Sequence, residues 1–285
     1  MITDIKIIND DKIEQDIETG MIEEIVTKNK THFFGVRFDN ITKASALKVI
    51  KNFLTNKQKP RKIFFTNVHT IFLAANNPAF AQSINNADLV LPDGSGLSIA
   101  GKLFSKPIKE NLNGTDFTPL VLKTAAKLGS KVYLLGAAKE VVTECMYRLK
   151  EKFPGLKIAG HHPGYFPKEE EDKIVNEIKS ISPDILLIAM GSPVQEQFAE
   201  KISRELHDTV CLAVGGLFDF IAGVRKRAPA IFRKTGLEWL YRFIQDPKTK
   251  WERIVIEIPL FLLSVISAKL FTNSIYSSVD RRPCI

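Results

Sequence analysis

A carboxylate at the end of a predicted strand is the strongest candidate for acid–base chemistry in this sequence. The apolar run Asp88–Leu91 ends at Pro92, which cannot donate a hydrogen bond to a strand ladder. Asp93 and Gly94 then turn the chain, and a glycine lets a ligand approach the backbone closely. An aspartate in this position can act as a general base. The alternative is that Asp93 only caps the helix that follows.

Polar side chains also follow two other predicted strands. Asn67 and His69 come after the apolar run KIFFT and precede a helical pattern, so both could face the same cleft. Gln195 and Glu196 lie in the first turn of a predicted helix, where free N–H groups favour phosphate or sugar oxygens. The alternatives are turn or helix-start roles for Asn67 and His69, and a helix dipole that recruits Glu196 without any ligand.

Paired glycines follow the last predicted strand. Gly215 and Gly216 allow a close approach to the backbone, which suits a nucleotide or a diphosphate. Asp219 could bind ribose or cap a helix, and capping is the favoured interpretation. The sequence contains no G-x-x-x-x-G-K-S/T loop, no G-x-S-x-G elbow and no D-x-D pair. A departing nucleotide diphosphate would therefore need a counter-charge other than a divalent metal.

The charge distribution offers cations for that role. The net charge is +8, and residues 225–253 hold nine bases against three acids. Arginine and lysine bind diphosphates well, so this segment predicts an anionic partner, either phosphate, phospholipid or nucleic acid. The alternative is a solvated surface. The nine bases are Arg225, Lys226, Arg227, Arg233, Lys234, Arg242, Lys248, Lys250 and Arg253.

Composition places the chain among ordinary globular proteins. Of its 285 residues, 45% are hydrophobic and 25% are charged, which argues against disorder and against a multi-pass membrane protein. The three cysteines are scattered and form no C-x-x-C pair, which fits a reducing cytoplasm. The first residues are acidic where a signal peptide would be basic and apolar, so we expect a protein that is not secreted.

The elements that must position these residues alternate along the chain. Nearly all-apolar strands separated by amphipathic helices predict an α/β, Rossmann-like, mostly parallel sheet with helices on both faces. In such sheets ligands lie at the carboxyl ends of the strands. The predicted strands are Lys62–Thr66, Asp88–Leu91, Lys131–Leu135, Lys157–Gly160, Asp184–Met190 and Thr209–Val214. The predicted helices are Ala44–Leu54, Thr70–Ile84, Gly114–Leu128 and Val141–Phe153.

The alternation stops after Gly223, and helical patterns follow at Ala230–Lys234, Leu237–Gln245 and from Lys248 to about Phe271. The apolar run Ile258–Ala268 has only eleven residues, whereas a membrane-spanning helix needs about 20. It could lie in the membrane interface or pack on protein.

We therefore divide the chain into three parts. Residues 1–32 form an N-terminal extension, residues 33–224 an α/β catalytic domain, and residues 225–285 a basic and amphipathic helical appendage.

Nine segments, in order, resemble the WecG/TagA/CpsF glycosyltransferases, glycosyltransferase family 26. Together they extend over roughly residues 33–255. They are TNVH (66–69), NNADLVLPDGSGL (85–97), NGTD (113–116), VYLLG (132–136), GYF (164–166), GSPVQE (191–196), GGLFDFIAG (215–223), KRAP (226–229) and GLEWLYRFIQDP (236–247).

The resemblance implies an inverting, metal-independent transferase without a cofactor. Its donor would be UDP-activated N-acetylmannosamine or a related sugar, and its acceptor an undecaprenyl-diphosphate-linked sugar. Asp93 would be the base that deprotonates the acceptor hydroxyl, and Thr66 and Asn67 would line the same pocket. Gln195 would contact the substrate, and Arg242 would contact the diphosphate.

The resemblance further implies that the C-terminal arm attaches the protein to an anionic membrane surface, at the cytoplasmic face of the cell membrane. Lys248, Lys250 and Arg253 are looser matches to the cationic residues of that arm. Two departures stand out. The arginine that relatives carry just before NGTD is absent, since the chain reads KENLN at 109–113, and Phe65 replaces a threonine found in some relatives.

Two other functions remain open at this point. A Rossmann-type oxidoreductase using NAD or a flavin would need a complete glycine fingerprint, which neither Gly94 nor Gly136 opens. A non-catalytic module could bind membranes or nucleic acid through the basic tail. The aromatic residues of that tail, such as Trp239 and Trp251, are better explained as core residues of a helix, so we expect no nucleic-acid partner. The sequence leaves the oligomeric state open, a homo-oligomer included.

Overall fold

Six parallel strands form the central sheet of the computed structural model, which describes residues 20–229, 231–232 and 235–271. The strand order is β4-β3-β8-β7-β5-β6, and each neighbouring pair is parallel. The strands are β1 Lys30–Phe33, β2 Val36–Asp39, β3 Arg61–Thr66, β4 Leu89–Pro92, β5 Lys131–Gly136, β6 Lys157–His162, β7 Ile185–Ala189 and β8 Val210–Ala213. The predicted α/β class and all six predicted strands are confirmed.

Helices cover both faces of the sheet. They are α1 Lys43–Thr55, α2 Val68–Ala75, α3 Pro78–Asn85, α4 Ser95–Leu103, α5 Gly114–Leu128, α6 Lys139–Lys152, α7 Glu171–Ile181, α8 Val194–Ser203, α9 Leu217–Ile221, α10 Glu238–Gln245, α11 Pro247–Glu252 and α12 Ile258–Phe271. A 3₁₀ turn, Lys168–Glu170, precedes α7, and a π-helical turn, Arg253–Glu257, joins α11 to α12. Residues 20–28 are also helical.

The core lies in two layers because successive strand residues point to opposite faces. In β5, Val132 and Leu134 pack on the face covered by α1, α5, α6 and α9. Tyr133 and Leu135 pack on the other face, against α2, α3, α7 and α8. This two-sided burial explains why the strand sequences are almost continuously apolar.

An antiparallel hairpin of β1 and β2, which the sequence analysis missed, precedes the sheet. Its two-residue loop, Phe34-Gly35, has positive φ at both positions, 50° and 77°. This is the conformation of a type I′ hairpin turn, for which Asn-Gly is the usual signal. Phenylalanine at the first position hid the turn. The hairpin begins at Lys30, and Ile22 of the preceding helical segment is buried in the core.

The single helix predicted over Thr70–Ile84 is wrong, because the chain breaks it at Asn77. The Asn77 side chain accepts a hydrogen bond from the Phe80 N–H and so caps a new helix, with Pro78 at its first position. Proline has no N–H to continue the previous helix, but it fits the first turn of a new one.

A buried ion pair ties the hairpin to β4, the strand that carries Asp93. Arg37 and Asp39 lie 2.9 Å apart, with their side chains 8% and 0% exposed. Arg37 also donates to the carbonyls of Ala87 and Asp88, while Asp39 accepts from the Val90 N–H. Removing either side chain would leave the other charge buried without its partner, which lowers the free energy of unfolding.

The C-terminal arm, which we define as residues 238–271, packs across α2 and α4. Phe261 and Val265 of α12 are buried, and Phe261 contacts the Phe34 ring edge-on at 5.7 Å. The predicted helical character from 248 to 271 is confirmed, with an irregular π turn just before Pro259. Most of the predicted helix at Ala230–Lys234 lies outside the described residues. Residues 1–19 and 272–285 lie entirely outside them.

We predict that Arg37→Met lowers the free energy of unfolding by about 3–5 kcal/mol, because it leaves the Asp39 carboxylate buried and unpaired. Urea denaturation would measure this loss. Lys28→Met, which breaks an exposed pair with Glu24, should cost less than about 1 kcal/mol. Equal losses in the two variants would contradict the role given to Arg37.

Candidate active site

Four neighbouring strands end at the same edge of the sheet and carry the predicted site residues. Because β4, β3, β8 and β7 are consecutive and parallel, Asp93, Asn67, Gly215 and Gly191 follow their carboxyl ends side by side. Strands are spaced by about 4.8 Å, so the row from β4 to β7 is about 14 Å wide. These residues therefore share one continuous edge of the sheet.

Asp93 is held in this edge by its backbone and its neighbours. Its N–H donates to the Thr66 carbonyl at 2.7 Å. The next N–H, that of Gly94, donates to the Asn111 side-chain oxygen at 2.8 Å, and the Gly114 N–H interacts with the Asp93 carboxylate. The turn is thus anchored on both sides, and the part of the chain that the structure describes offers this carboxylate no salt bridge within 4 Å.

Burial raises the pKa of Asp93 above that of an ordinary aspartate. The positive charge of Arg242 opposes this shift, Glu238 adds to it, and Arg253 again opposes it. A carboxylate with a raised pKa is a stronger base than an exposed aspartate, which is the property required of a group that takes a proton from a hydroxyl.

Two of the four predicted arm cations reach the neighbourhood of Asp93. Arg242 lies over the Phe220 ring, 5.1 Å from its centroid. Arg253 is half-buried, and burial lowers its pKa. Lys248 is exposed, and the Lys250 side chain lies outside the part that the structure describes.

Ion pairs fix the base of the arm to the catalytic domain. Arg227 of the KRAP segment binds both carboxylate oxygens of Asp116, at 2.9 and 3.1 Å. Asp116 belongs to the NGTD segment, which directly follows the loop that holds Gly94. Glu238 bonds to Arg242 at 2.7 Å and lies 3.6 Å from Arg227. A bidentate arginine–carboxylate pair restricts orientation as well as distance, so the start of the arm is well defined.

Gln195 and Glu196 form a buried polar cluster behind the glycine loop. The Gln195 amide donates to Glu196 at 2.8 Å, and its oxygen accepts from the Gly215 N–H at 2.9 Å. Ser192 donates to the same Glu196 oxygen at 2.8 Å. The Gln195 side chain thus links the loop after β7 to the loop after β8, and both side chains are less than 6% exposed.

The other Glu196 oxygen is buried with no hydrogen-bond partner among the described residues. Burial raises the pKa of Glu196, although the bonds from Gln195 and Ser192 oppose the shift. Burial therefore disfavours the ionised form of this carboxyl relative to that of an exposed glutamate.

The residues after β3 combine local roles with a place in the cleft. Thr66 is fully buried, and its hydroxyl lacks a partner among the described residues. Asn67 caps α2 by accepting from the Thr70 N–H at 3.0 Å. His69 is the second residue of α2, and its Nδ1 bonds both oxygens of Glu257, at 2.9 and 2.8 Å. His69 therefore contacts the arm.

The glycines at this edge of the sheet are required for different physical reasons. Gly94 has φ +100°, and a side chain built there would meet open space, so backbone conformation is what requires glycine. Gly215 has φ +53°, again with open space beside it. Gly216 begins α9. Gly96 is different, because an added Cβ would lie 2.3 Å from the Val68 side chain. Its small size serves the packing of α4 on α2.

Sequence reasoning missed three residues at this site. Asn111 stands out in the sequence only within the KENLN departure, Asp116 only within the NGTD motif, and Glu257 not at all. Motif membership was a usable signal for Asp116. No local pattern indicated the contacts of Asn111 with Gly94 or of Glu257 with His69, since both join segments distant in sequence.

Residues 20–229, 231–232 and 235–271 hold no group of three or more His, Cys, Asp or Glu side chains that could bind a metal ion. Their helices are all too short or too polar to span a membrane.

The fold is that of an α/β protein whose candidate reacting groups lie at the carboxyl ends of parallel strands, with cations of a C-terminal arm near them. A sequence model described as "Glycosyl transferase WecG/TagA/CpsF family" matches residues 31–275. The chain belongs to this family and is a glycosyltransferase. The resemblance noted in the sequence is confirmed and extends further towards the C-terminus than the motifs did.

Similar proteins with assigned names come from Staphylococcus aureus. The chain is 34% identical over 251 residues to N-acetylglucosaminyldiphosphoundecaprenol N-acetyl-beta-D-mannosaminyltransferase of strain MW2, covering 87% of this chain and 96% of that protein. The protein of the same name from strain MRSA252 is 33% identical with the same coverage. The oxidoreductase and the non-catalytic module are therefore set aside.

We predict that Glu196→Gln gains stability relative to the wild type as the pH rises from about 5 to about 8. A carboxyl whose folded-state pKa is raised stabilises the fold at low pH, and this contribution is lost as the pH rises through the folded pKa. Glutamine carries no such charge. Thermal denaturation across this range would measure the difference.

The control is Glu205→Gln. Glu205 is exposed, and its bond to Lys179 lowers its pKa, so its contribution is already complete across that range and the difference should stay flat. A flat difference for Glu196→Gln as well would contradict the raised pKa of Glu196.

Proposed function

We propose that this enzyme transfers N-acetylmannosamine, or a closely related hexosamine, from a UDP donor to an undecaprenyl-diphosphate-linked sugar, with inversion at the anomeric carbon. One observation carries the proposal. A half-buried carboxylate, Asp93, lies at the sheet edge expected to bind a nucleotide sugar, with two arginines of the arm beside it. The names of the S. aureus relatives support the lipid-linked acceptor and the mannosamine group.

Asp93 fits the role of general base in a single displacement. The acceptor hydroxyl oxygen attacks the anomeric carbon, the bond from that carbon to the UDP phosphate breaks, and the hydroxyl proton passes to Asp93. UDP leaves with the electron pair. One base suffices for this reaction, and the other buried acid of the cleft, Glu196, is turned towards Ser192 and Gln195. This arrangement supports inversion.

Arg242 and Arg253 fit the role of counter-charges for the departing diphosphate. Arginine forms fixed, charge-assisted hydrogen bonds with phosphate oxygens, and charges that are already in place at the transition state stabilise it most. With these groups the reaction has no need for a metal ion or a cofactor.

The arm also fits the role of a membrane-binding surface at the cytoplasmic face. Several large apolar side chains in the π turn and in α12 are exposed to solvent. Phe261 and Val265, also in α12, are buried. The exposed ones are Val255 (61%), Ile256 (38%), Leu260 (47%), Leu263 (61%) and Ile266 (49%). The sequence predicts an amphipathic segment, but α12 is apolar on its exposed face as well as on its buried face. An exposed apolar face with bases nearby suits the interface of an anionic membrane. The same surface would bring the enzyme to its lipid-linked acceptor.

We predict that Asp93→Asn lowers kcat about 10²- to 10⁴-fold, the usual contribution of a general base, while the protein stays folded. UDP release with a short-chain lipid-diphosphate acceptor would measure the rate. In the wild type kcat/KM should rise with pH through the raised pKa of Asp93, because the base must be ionised. A variant with wild-type turnover would remove Asp93 from the mechanism.

We predict that Leu263→Asp weakens binding to vesicles containing anionic lipid by about tenfold or more, since a charge then enters the apolar face. Vesicle co-sedimentation would measure the affinity. Leu128→Asp is the matched control, because Leu128 is an exposed leucine (41%) on the catalytic domain and should bind like the wild type. Equal binding by both variants would place the membrane contact elsewhere.

A further inference from the structure

We propose that Glu257 is a positioning residue for the transfer reaction, because it bonds to His69 of the catalytic domain and lies four residues from Arg253 of the arm, where its charge keeps Arg253 near Asp93. The inference rests on the function proposed above, and it concerns a residue that the sequence motifs did not single out. Through this contact, docking of the arm on the domain also brings Arg253 close to Asp93.

The bond between Glu257 and His69 connects the arm to the edge of the sheet. Both Glu257 oxygens lie within 2.9 Å of His69 Nδ1, and Glu257 is only 6% exposed. His69 is the second residue of α2, which starts directly after Asn67 at the carboxyl end of β3. A buried carboxylate needs a partner, so this part of the arm is stable on the domain only with His69 opposite it.

The same carboxylate acts on Arg253. The two residues are the first and last of the π turn, and a spacing of four residues places side chains on the same side of a helix. Burial is the main influence on the pKa of Arg253, and among the charged groups Glu257 has the largest effect, ahead of Arg242 and Asp93. Glu257 is therefore the counter-charge closest in effect to this arginine.

Glu257 differs from the acid beside the other arm arginine in its contact with the domain. Arg242 also has an acid four residues away, Glu238, and the two are bonded at 2.7 Å. Each arginine thus has an acid four residues away, but only Arg242 forms an ion pair with it. Glu238 reaches the domain only as a distant neighbour of Arg227, at 3.6 Å, and Arg227 lies before the arm. Glu257 by contrast bonds directly to a helix of the cleft.

A row of interacting groups therefore runs from the proposed base to the domain surface under the arm. It consists of Asp93, Arg253, Glu257 and His69, of which the last two are hydrogen-bonded and the others interact through their charges. Moving Glu257 changes the position of Arg253, and moving Arg253 changes the charge that Asp93 experiences. A displacement of about 1 Å in such a group can cost on the order of 100-fold in rate.

The test compares Glu257→Gln with Glu252→Gln. Glutamine keeps the shape of Glu257 but loses the charge that holds Arg253. Glu252 is an exposed acid at the end of α11, so its variant makes the same change in net charge away from the contact. We expect kcat/KM to fall about 10- to 100-fold in Glu257→Gln and to stay unchanged in Glu252→Gln. Glu257→Asp, which keeps the charge, should recover part of the loss.

The pH profile separates positioning from a loss of stability. Three charged side chains act on Asp93, namely Arg242, Glu238 and Arg253. If Arg253 moves away in Glu257→Gln, the pKa of Asp93 rises and the acidic limb of the kcat/KM profile shifts to higher pH. An unchanged limb, an unchanged rate, or an equal loss in Glu252→Gln would each overturn the proposal.

A second measurement needs no substrate. Amide hydrogen exchange of residues 253–271 should become at least several-fold faster in both His69→Phe and Glu257→Gln, and no faster still in the double variant, because the two side chains form one contact. Unchanged exchange in either single variant, or additive acceleration in the double variant, would overturn the contact. Should the wild type fail to use UDP-sugars, the proposed function falls while this measurement still decides whether the contact holds the arm.

Discussion

A carboxylate held largely out of water must be balanced by cations, and in this protein those cations come from a different part of the chain. Asp93 sits in a turn that is fixed by Thr66 and Asn111, and burial raises its pKa. Arg242 and Arg253 offset that cost from the arm. The sheet therefore supplies the proposed base and the turn that holds it, and the arm supplies positive charge that offsets the cost of burying it.

Because the carboxylate and the cations come from two parts of the chain, the sheet domain and the arm, ion pairs between those parts hold them in place. Arg227 and Asp116 hold the start of the arm, and His69 with Glu257 holds its middle. Between these two points the arm carries both arginines past the edge of the sheet. Anchors on each side restrict the arginines more than a single contact could, which is the condition for electrostatic stabilisation by preorganised groups.

Burial of polar groups recurs on the other side of the cleft. Gln195 bonds to Glu196, Ser192 and the Gly215 backbone, and one oxygen of Glu196 accepts from both Gln195 and Ser192. In this arrangement they shape the glycine loop that the proposed donor would contact. A residue can thus belong to a site because it positions backbone N–H groups, while its own side chain faces inward.

Sequence alone determined the fold class, the strands of the sheet, the carboxylate at the end of β4 and the cationic character of the tail. These follow from local signals, namely apolar periodicity, turn residues and charge density, which act between near neighbours in the chain. Only the tertiary structure decided the hairpin turn at Phe34, the bond from Asn111 to Gly94, and the pairing of His69 with Glu257. That last pair is 188 residues apart, and the contact exists only because α2 and the arm pack together, which no local pattern encodes.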